Sequence, residues 1–533
     1  DKENAPFEKV DAESAGKLAE EAVKDPHHVK AMKPLPSRKM KKEVPLMDCF
    51  VAPCKEGCPI HQDITTYLQL VGEEKYEEAM EVITEKNPLP FITGTICAHN
   101  CMSKCTRNFY ETPVHIREMK LKAAENGYEA LLEKLPVPAV TKAGKAAVIG
   151  GGPAGMAAAY FLRKGGMEVT LFEAKESLGG VVRHVIPPFR ISEDAIEKDA
   201  EILRKMQVDI HCNTKLESLE ELKKQGYTKI VLAVGAPVQG SLKLESGMPK
   251  NALEFLAEFK QTDGKVSLGK HVVVIGGGNT AMDTARAAKR NAGVEHVYLI
   301  YRRTRRYMPA DEEELVMALE DGVEFKELLS PVKLENGQLF CKVMQLSDYD
   351  VSGRRGVTET GETVWVPADT VIAAVGEKVP TDWYQANGLA VSEKGRLYVD
   401  EKTLKTSDDN VYAAGDGLYG PATVVEAIRD GRKVAEAIAG EVLACDFDKL
   451  AEEEKVYAKR GVLKEEQKET KEAGRCLGCS TICENCVEVC PNRANIAIQV
   501  PGMEKHQIIH VDYLCNECGN CKSFCPYSSA PYL

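Results

Sequence analysis

The chain has 533 residues, of which 44% are hydrophobic and 28% are charged. A single hydrophobic core stops growing near ~250 to 300 residues, so this length predicts three or more globular domains and this composition excludes disorder as the default. The formal net charge of −12 disfavours nucleic acid as a ligand, because phosphate binding needs a basic face. No apolar run approaches the ~20 residues of a membrane span, and the first residues lack the apolar core of a secretory signal, so a cytoplasmic protein is expected.

The eighteen cysteines are grouped by spacing, which indicates metal or redox sites rather than the disulfides of a small secreted domain. The chain starts on Asp1 and ends after "CPYSSAPYL". We therefore expect it to be a piece of a longer polypeptide.

Residues 43–140 follow a lysine-rich stretch and carry six cysteines around a segment of helical apolar spacing, "DITTYLQLVGEEKYEEAMEVITEKN". The six are Cys49, Cys54, Cys58, Cys97, Cys101 and Cys105. Six thiolates exceed the four ligands of one [4Fe-4S] cluster and fall short of the eight of two. Four candidates to complete a site are Asp48, His61, His99 and a residue near Glu118. A lone histidine beside a cysteine more often only forms hydrogen bonds.

The stretch "GGGPAGMAAA" follows the apolar strand "KAAVI" and opens a helix, as in a dinucleotide-binding unit. Gly150 permits the tight turn, Gly152 lets a pyrophosphate approach the backbone, and Gly155 lets helix and strand pack closely. Glu173 ends the next strand, where an acid binds ribose hydroxyls, and "AAGD" with Asp416 is typical of a second flavin-contacting turn. The glycines alone would indicate only a tight turn, but the combination predicts FAD.

A second copy, "VVVIGGGNTAMD", is followed by a strand that ends in "IYRR". Its three loop positions are Gly276, Gly278 and Ala281. No acid follows this strand to hold a ribose 2'-hydroxyl, and arginines such as Arg302 at that place suit a 2'-phosphate, so the pattern predicts NADPH. The alternative is a solvated basic face that continues through Arg305 and Arg306.

Nine cysteines follow residue 475, and "CNECGNCKSFCP" among them has the C-x2-C-x2-C-x3-C-P spacing of bacterial ferredoxins. "CLGCSTICENCVEVCP" is a near copy, with Cys479 or, less favourably, Cys476 as its first ligand. Because the fourth cysteine of each motif reaches the neighbouring cluster, one predicted ligand set is Cys479, Cys483, Cys486 and Cys525, and the other is Cys490, Cys515, Cys518 and Cys521. Cys476 is left over. Structural zinc prefers paired C-x2-C knuckles with a longer loop between them and fits this spacing less well.

The other cysteines give no redox pair. No Cys-x-x-Cys occurs between Gly180 and Cys476, so a disulfide reductase of thioredoxin-reductase type would lack its dithiol. Three isolated cysteines are expected to be packing residues: Cys212, Cys341 and Cys445.

The chain resembles a known family in "GGGPAGMAAAYFL", "LGG" with "IPPFRI", "GGGNTAMDTAR", "YRRTRRYMPADEEE" and "VYAAGD". It is similar over residues 43–445 to the glutamate synthase small-subunit family, which also forms the N-terminal part of dihydropyrimidine dehydrogenase. "DCFVAPCKEGCPIHQDI" and the C-terminal 2[4Fe-4S] ferredoxin-type block most resemble the branch named for a proposed selenate-reductase role.

The resemblance implies two sets of cofactor contacts. Those to FAD are Gly150, Gly152, Pro153, Ala154, Gly155, Glu173, Gly179, Gly180, Arg190, Gly235, Gly415, Asp416 and Ala427. Those to NADP(H) are Gly276, Gly278, Asn279, Thr280, Ala281, Arg302 and Arg303. No side chain is implied as a catalytic acid or base, because hydride transfer from NADPH to FAD needs positioning only.

The resemblance also groups Cys49, Cys54 and Cys105 on one N-terminal cluster and Cys58, Cys97 and Cys101 on the other. Two ligands of the family pattern are changed here. A cysteine is replaced by Leu46, and an acidic or amide residue is replaced by Lys120. One or two N-terminal [4Fe-4S] clusters are therefore expected, in addition to two at the C-terminus.

The predicted fold is α/β, with two Rossmann-like domains for FAD and NADPH between an N-terminal helical iron-sulfur domain and a C-terminal ferredoxin-like domain. The expected segments are an arm at 1–42, the helical iron-sulfur domain at 43–140, the FAD domain at 141–268 and 381–445, the NAD(P)H domain at 269–380, a charged linker at 446–475 and the ferredoxin-like domain at 476–533.

These parts predict an electron-transfer oxidoreductase subunit that moves electrons between NADP(H), FAD and [4Fe-4S] clusters, to or from a catalytic partner subunit or a further domain of the same polypeptide. Two other hypotheses stay open. One is a self-contained NADPH:ferredoxin oxidoreductase or bifurcating transhydrogenase, and the other is a structural subunit with vestigial cofactors, which the changed N-terminal ligands would favour.

Overall fold

The computed structural model describes residues 16–17, 19–20, 51–109, 111–349, 355–447, 456, 458–459, 462–463, 471–480, 483–503, 505–527 and 529–533. Most of the predicted arm, most of the predicted linker, Leu46, Asp48 and Cys49 lie outside these residues.

The helices are α1 (Pro53–Gly57), α2 (Ile64–Gly72), α3 (Tyr76–Lys86), α4 (Pro90–Ile96), α5 (Asn100–Ser103), α6 (Ile116–Lys134), α7 (Pro153–Lys164), α8 (Val181–His184), α9 (Glu193–Lys205), α10 (Leu219–Lys224), α11 (Ala252–Gln261), α12 (Asn279–Arg290), α13 (Glu312–Glu320), α14 (Thr381–Ala386), α15 (Asp416–Tyr419), α16 (Val424–Ala439), α17 (Asn485–Glu488) and α18 (Asn520–Phe524).

The strands are β1 (Lys145–Ile149), β2 (Glu168–Phe172), β3 (Asp209–His211), β4 (Tyr227–Leu232), β5 (Val238–Gln239), β6 (Lys250–Asn251), β7 (His271–Ile275), β8 (His296–Tyr301), β9 (Glu324–Glu327), β10 (Leu329–Glu335), β11 (Gln338–Tyr349), β12 (Arg355–Pro367), β13 (Thr370–Ala373), β14 (Glu377–Lys378), β15 (Val411–Ala413), β16 (Asn495–Ile498) and β17 (Gln507–His510).

Two five-stranded parallel sheets form the centre of the molecule. The first has the order β15-β4-β1-β2-β3 and the second β6-β13-β7-β8-β9. In each sheet a glycine-rich loop leads from an almost fully buried strand, β1 or β7, into a helix that crosses to the next parallel strand. This is the doubly wound arrangement that the two glycine motifs predict, with the first sheet assembled from two separate stretches of chain.

The N-terminal helices pack tightly through glycines. A Cβ at Gly127 in α6 would lie 2.4 Å from the carbonyl oxygen of Tyr76, and one at Gly94 in α4 would lie 2.9 Å from Cα of Leu121. The buried apolar side chains of this helical group and of the first parallel sheet belong to one core. The helical domain is therefore fixed against the first sheet.

Asp199 of α9 joins these two parts through the start of α4. Its fully buried carboxylate accepts hydrogen bonds from the backbone N–H groups of Phe91, at 3.1 Å, and Ile92, at 2.8 Å. Burial raises the pKa of Asp199 well above its usual value, and the two N–H donors oppose that rise. The carboxylate thus satisfies helix-end donors that would otherwise be buried without partners.

The C-terminal domain contains the antiparallel pair β16 and β17 and the short helices α17 and α18. Each of these two helices lies just before a Cys-Pro pair, at Cys490 and Cys525. The arrangement agrees with the ferredoxin-like fold that the cysteine spacing predicts.

We predict that Asp199→Ala lowers the free energy of unfolding by about 1 to 3 kcal/mol, because two buried N–H groups lose their acceptor. The thermal unfolding midpoint measures this loss. Asp199→Asn keeps one acceptor oxygen and should lose less, and Asp194→Ala, on the exposed face of α9, is the matched control. Equal midpoints for Asp199→Ala and Asp194→Ala would contradict the role of the cap.

Candidate flavin, dinucleotide and iron-sulfur sites

The first glycine loop is shaped so that only glycine fits at two of its positions. Gly150 has a φ of 107°, and a Cβ there would lie 2.3 Å from the carbonyl oxygen of Ala233. A Cβ at Gly155 would lie 1.8 Å from the carbonyl oxygen of Gly150. Gly152, the N-cap of α7, has only the Cα of Gly180 near its Cβ position, at 3.7 Å. The N-terminus of α7 is therefore open to a phosphate group.

Glu173 lies directly after β2 and holds this loop in place. Its buried carboxylate accepts hydrogen bonds from the backbone N–H groups of Gly151, at 2.6 Å, and Lys175, at 2.8 Å. The acid predicted to bind ribose hydroxyls thus stands at the edge of the phosphate loop.

A second turn, distant in sequence, lies against the helix that begins at the first glycine loop. Gly415 has a φ of 71°, and a Cβ there would lie 2.7 Å from the Cβ of Ala154. Burial raises the pKa of the adjacent Asp416 to about 6, although the N–H of Ala422 donates to its carboxylate. Ala427 lies in the first turns of α16, after a capping box formed by Thr423 and Glu426. The structure therefore brings the two predicted flavin-contacting turns together.

The second glycine loop has the same construction before α12. A Cβ at Gly276 would lie 2.5 Å from the carbonyl oxygen of Ala374 and 3.0 Å from the Cβ of Ala281. The ring of Tyr301 fills the space beside Gly277, where a Cβ would lie 2.5 Å from it. Asn279 accepts a hydrogen bond from the N–H of Asp311 at 3.0 Å. This loop, too, leaves a helix N-terminus available for a pyrophosphate.

The arginines after β8 differ in what they contact. Arg302 is exposed, whereas Nε of Arg303 donates to the carbonyl oxygen of Arg355 at 2.8 Å. Oγ1 of Thr304 and Nε of Arg306 are buried and have no hydrogen-bond partner among the described residues. The sequence pattern singled out Arg302 and missed these two buried donors. Thr304 alone carries no sequence signal, and Arg306 is one of four arginines in a run.

Arg190 occupies a different position from the other predicted flavin contacts. One of its guanidinium nitrogens lies 2.5 Å from Oδ1 of Asp283, and the other lies 2.6 Å from Oε1 of Glu314. Burial raises the pKa of Asp283 to about 6, Glu314 adds to the rise, and the Arg190 charge opposes it. Asp283 and Glu314 belong to α12 and α13, so Arg190 links the predicted flavin domain to the predicted dinucleotide domain.

Two groups of N-terminal thiols lie around the buried Tyr67. Burial raises the pKa of Cys54, and the charges of Cys476 and Cys105 add to it. Burial also raises the pKa of Cys101, with Cys58 and Cys97 adding and the buried Lys120 opposing. Burial and then the thiolates of both groups raise the pKa of Tyr67. Because buried thiolates repel one another, a bound metal cluster would supply the positive charge that they need.

The other ligand candidates in this domain face charged partners or solvent. His61 is half exposed and lies 3.8 Å from Glu56, and His99 lies 3.3 Å from Glu313 of the dinucleotide domain. Glu118 lies 3.4 Å from Arg117.

Four C-terminal cysteines line one cavity together with Asn495, His510 and Tyr532. They are Cys490, Cys515, Cys518 and Cys521, the set that the sequence assigns to one cluster. Although burial acts to raise the pKa of Cys490, backbone N–H donors outweigh it, so this pKa is lowered, with Ala494 N at 3.1 Å from the sulfur. The thiolate is the form of cysteine that binds metals, and these N–H donors favour it.

Cys479, of the other predicted C-terminal set, lies against the N-terminal domain, with its sulfur 3.0 Å from Oγ1 of Thr106. Burial raises the pKa of Tyr527, and the charges of Cys483, Cys479 and Cys54 add to the rise. Cys525 accepts a hydrogen bond from the N–H of Ser529 at 3.3 Å.

Within the described part of the chain, no three histidine, cysteine, aspartate or glutamate side chains converge as ligands of a single metal ion. A [4Fe-4S] cube binds each thiolate through a different iron, so its ligands stand farther apart than those of one ion. The four thiols around one cavity fit a cube by their chemistry and number.

Comparisons with known proteins agree with this architecture. Residues 144–431 match the pyridine nucleotide-disulphide oxidoreductase family, and residues 35–130 match dihydropyrimidine dehydrogenase domain II, 4Fe-4S cluster. YgfK of Escherichia coli (strain K12), named as an oxidoreductase, is 39% identical over 98% of this chain and 52% of its own length. The small chain of glutamate synthase [NADPH] from Azospirillum brasilense is 33% identical over 73% of this chain and 86% of its own length.

A further relative is the NADPH-Fe(3+) oxidoreductase subunit beta of Geobacter sulfurreducens (strain DL-1 / KN400), 34% identical over 74% of this chain and 64% of its own length. The chain belongs to the pyridine nucleotide-disulphide oxidoreductase family, within the group of the glutamate synthase small chain, and has an added N-terminal segment that matches a 4Fe-4S domain. This confirms the resemblance and the fold class inferred from the sequence.

The chain spans about half the length of YgfK, a relative that matches nearly all of it. None of the described helices is both long enough and apolar enough to cross a bilayer.

We predict that Gly155→Ala abolishes flavin binding, because the added methyl group would overlap the carbonyl oxygen of Gly150. The flavin absorbance per protein after purification measures the effect. Gly72→Ala is the matched control, since its Cβ would lie 3.8 Å from Ala473, an ordinary contact. Full flavin content in Gly155→Ala would show that this loop is not the flavin site.

Proposed function

We propose that this chain moves electrons between NADP(H) and a partner redox protein through FAD and a series of [4Fe-4S] clusters. The partner is a catalytic subunit or a further domain of the same polypeptide, and the location is cytoplasmic. Two relatives carry names of enzyme subunits, the glutamate synthase small chain and the NADPH-Fe(3+) oxidoreductase subunit beta, which supports a partner.

The observation that carries this proposal is the meeting of the two cysteine-rich domains. The rings of Phe109 and Phe524, the neighbour of Cys525, have centroids 6.0 Å apart. Oγ1 of Thr106, the neighbour of Cys105, lies 3.0 Å from the sulfur of Cys479. Thiols of the N-terminal and C-terminal domains therefore border one interface instead of forming two separate sites.

The same N-terminal domain contacts the flavin half of the molecule. The hydroxyl of Tyr160, in α7, donates to the carbonyl oxygen of Thr84 at 3.2 Å, and Arg432, in α16, donates to the carbonyl oxygen of Ile60 at 3.2 Å. Both helices belong to the flavin domain, and α7 starts at its glycine loop. These contacts support an electron path in which the N-terminal cysteine groups come between the flavin domain and the C-terminal cavity.

FAD, when bound, accepts electrons in pairs from a nicotinamide and releases them singly to iron-sulfur clusters. The residues of this chain would bind and orient the cofactors. The loop from Gly150 to Gly155 and the turn at Gly415 would hold the flavin, and the loop before α12 would hold the dinucleotide. The Arg190 link to Asp283 and Glu314 would keep the two sites facing each other.

We propose NADPH rather than NADH as the dinucleotide. The chain after β8 offers Arg302 together with the unpaired donors of Thr304 and Arg306, and charge-assisted hydrogen bonds favour a 2'-phosphate there.

We propose two C-terminal clusters on the two sets of four cysteines predicted by the sequence, and two N-terminal clusters. Cys58, Cys97 and Cys101 would hold one N-terminal cluster beside Lys120, and Cys54 and Cys105 would take part in the other.

We predict that Arg302→Ala raises the KM for NADPH by about tenfold, because one charge-assisted hydrogen bond to the 2'-phosphate is lost. The KM for NADH should stay nearly unchanged. Steady-state kinetics with both nucleotides and an artificial acceptor measure the two values. Arg305→Ala is the control, because Arg305 pairs with Glu312 at 2.9 Å. A similar rise in Arg305→Ala would instead indicate a diffuse basic face.

We predict that anaerobic NADPH bleaches the flavin absorbance and then brings up cluster signals in electron paramagnetic resonance (EPR) spectra. Iron on the same sample should be about sixteen atoms per chain for four clusters and about eight for two. Flavin reduction without cluster reduction would contradict flow from NADPH alone, and no response at all would favour a structural subunit.

A further inference from the structure

Cys476 is the C-terminal cysteine that the ferredoxin-type pattern does not use. It directly follows a short 3-10 turn, Glu472–Arg475, which is docked on the N-terminal domain. Arg475 is almost fully buried and donates to Oε1 of Glu111 at 3.0 Å and to the carbonyl oxygen of Thr112 at 2.8 Å. The backbone just before Cys476 is thus held by residues more than 350 positions earlier in the chain.

Two further contacts hold this segment against the turn that carries Cys105. The carbonyl oxygen of Arg475 accepts a hydrogen bond from Nε of the buried Arg107 at 2.6 Å. On the other side of Cys476, the sulfur of Cys479 lies 3.0 Å from Oγ1 of Thr106. Residues 475 and 479 are therefore fixed to residues 107 and 106, so the segment that contains Cys476 lies beside the turn that contains Cys105.

The packing of the thiols agrees with this placement. Cys105, Cys476 and Cys479 all pack against the buried core that contains Cys54 and Cys58. The ferredoxin-type spacing already uses Cys479 for a C-terminal cluster. Cys476 is therefore the thiol of this segment that is left for the N-terminal group.

We propose that Cys476 is a ligand of the N-terminal iron-sulfur cluster held by Cys54 and Cys105, so that the C-terminal segment supplies the thiolate missing from the family pattern at Leu46. This inference rests on the N-terminal cluster of the proposed function. It makes that cluster a covalent link between the two cysteine-rich domains, because its iron atoms bind sulfurs from both.

The test measures iron and acid-labile sulfide, with EPR spectra, in anaerobically purified full-length variants. Cys476→Ala should lose up to four irons or convert one cluster to a [3Fe-4S] type, with flavin content unchanged. The double variant Cys54→Ala/Cys476→Ala should lose no more iron than Cys54→Ala alone, because both residues serve one cluster. Cys476→Ala/Cys483→Ala should lose the sum of its single variants, because two clusters are affected.

Cys445→Ala is the control, since Cys445 is exposed, which corrects its expected packing role, and lies outside both ligand patterns. Cys476→Ser keeps an oxygen donor and a similar volume; it should retain more iron than Cys476→Ala and show a changed EPR spectrum. If the alanine variant fails to fold, the iron content and EPR spectrum of the serine variant test the proposal instead. Flavin content and circular dichroism confirm the fold in each case.

Unchanged iron and spectra in both Cys476 variants would overturn the proposal. The proposal would also be overturned if iron loss were additive in Cys54→Ala/Cys476→Ala and non-additive in Cys476→Ala/Cys483→Ala. Cys476 would then belong to the C-terminal cluster. The ligand assignment and the proposed electron flow can be contradicted independently of each other. A chain with the expected iron pattern that does not respond to NADPH would contradict the function and not the ligand.

Discussion

The structure depends on the burial of two arginines, Arg107 and Arg475, where the C-terminal segment meets the N-terminal domain. Both are at most 1% exposed. Burying a guanidinium is costly unless its donors are paired, and removing one partner of such a pair leaves an uncompensated charge. Here Glu111, which pairs with both arginines, and backbone carbonyl oxygens accept most of their hydrogen bonds, and among the described residues only Nε of Arg475 is left without an acceptor in this pair. The pairing therefore fixes the position of the segment in detail, and with it the positions of the nearby cysteines.

The flavin and dinucleotide loops could be predicted from the sequence because their physics is local. A glycine is required where the backbone turns or touches another strand within about one β-α-β unit, and Gly150, Gly155 and Gly276 each meet such a contact. Likewise, the cavity lined by Cys490 and Cys515 follows from ferredoxin-type spacing.

Other features could not be predicted because they depend on segments far apart in the chain. The spacing pattern left Cys476 without a role, and nothing near it in sequence indicates Cys105 as its neighbour. Arg190 fell in a motif shared with flavin proteins, whereas its contacts are acids of α12 and α13. The partners of a long charged side chain depend on how domains pack, and the local sequence does not predict that packing.

The aromatic contact between Phe109 and Phe524 has a consequence for how electrons would travel. A ferredoxin domain on a free tether delivers charge by diffusing between donor and acceptor, so its rate depends on tether length and solvent viscosity. A domain held by buried arginines and by a contact between two tilted rings would keep its clusters at fixed separations. Under the proposed function, the rate of transfer across such a contact would be set when the chain folds. The C-terminal domain would then conduct electrons without moving, and a second protein would accept them at the cavity lined by Cys490 and Cys515.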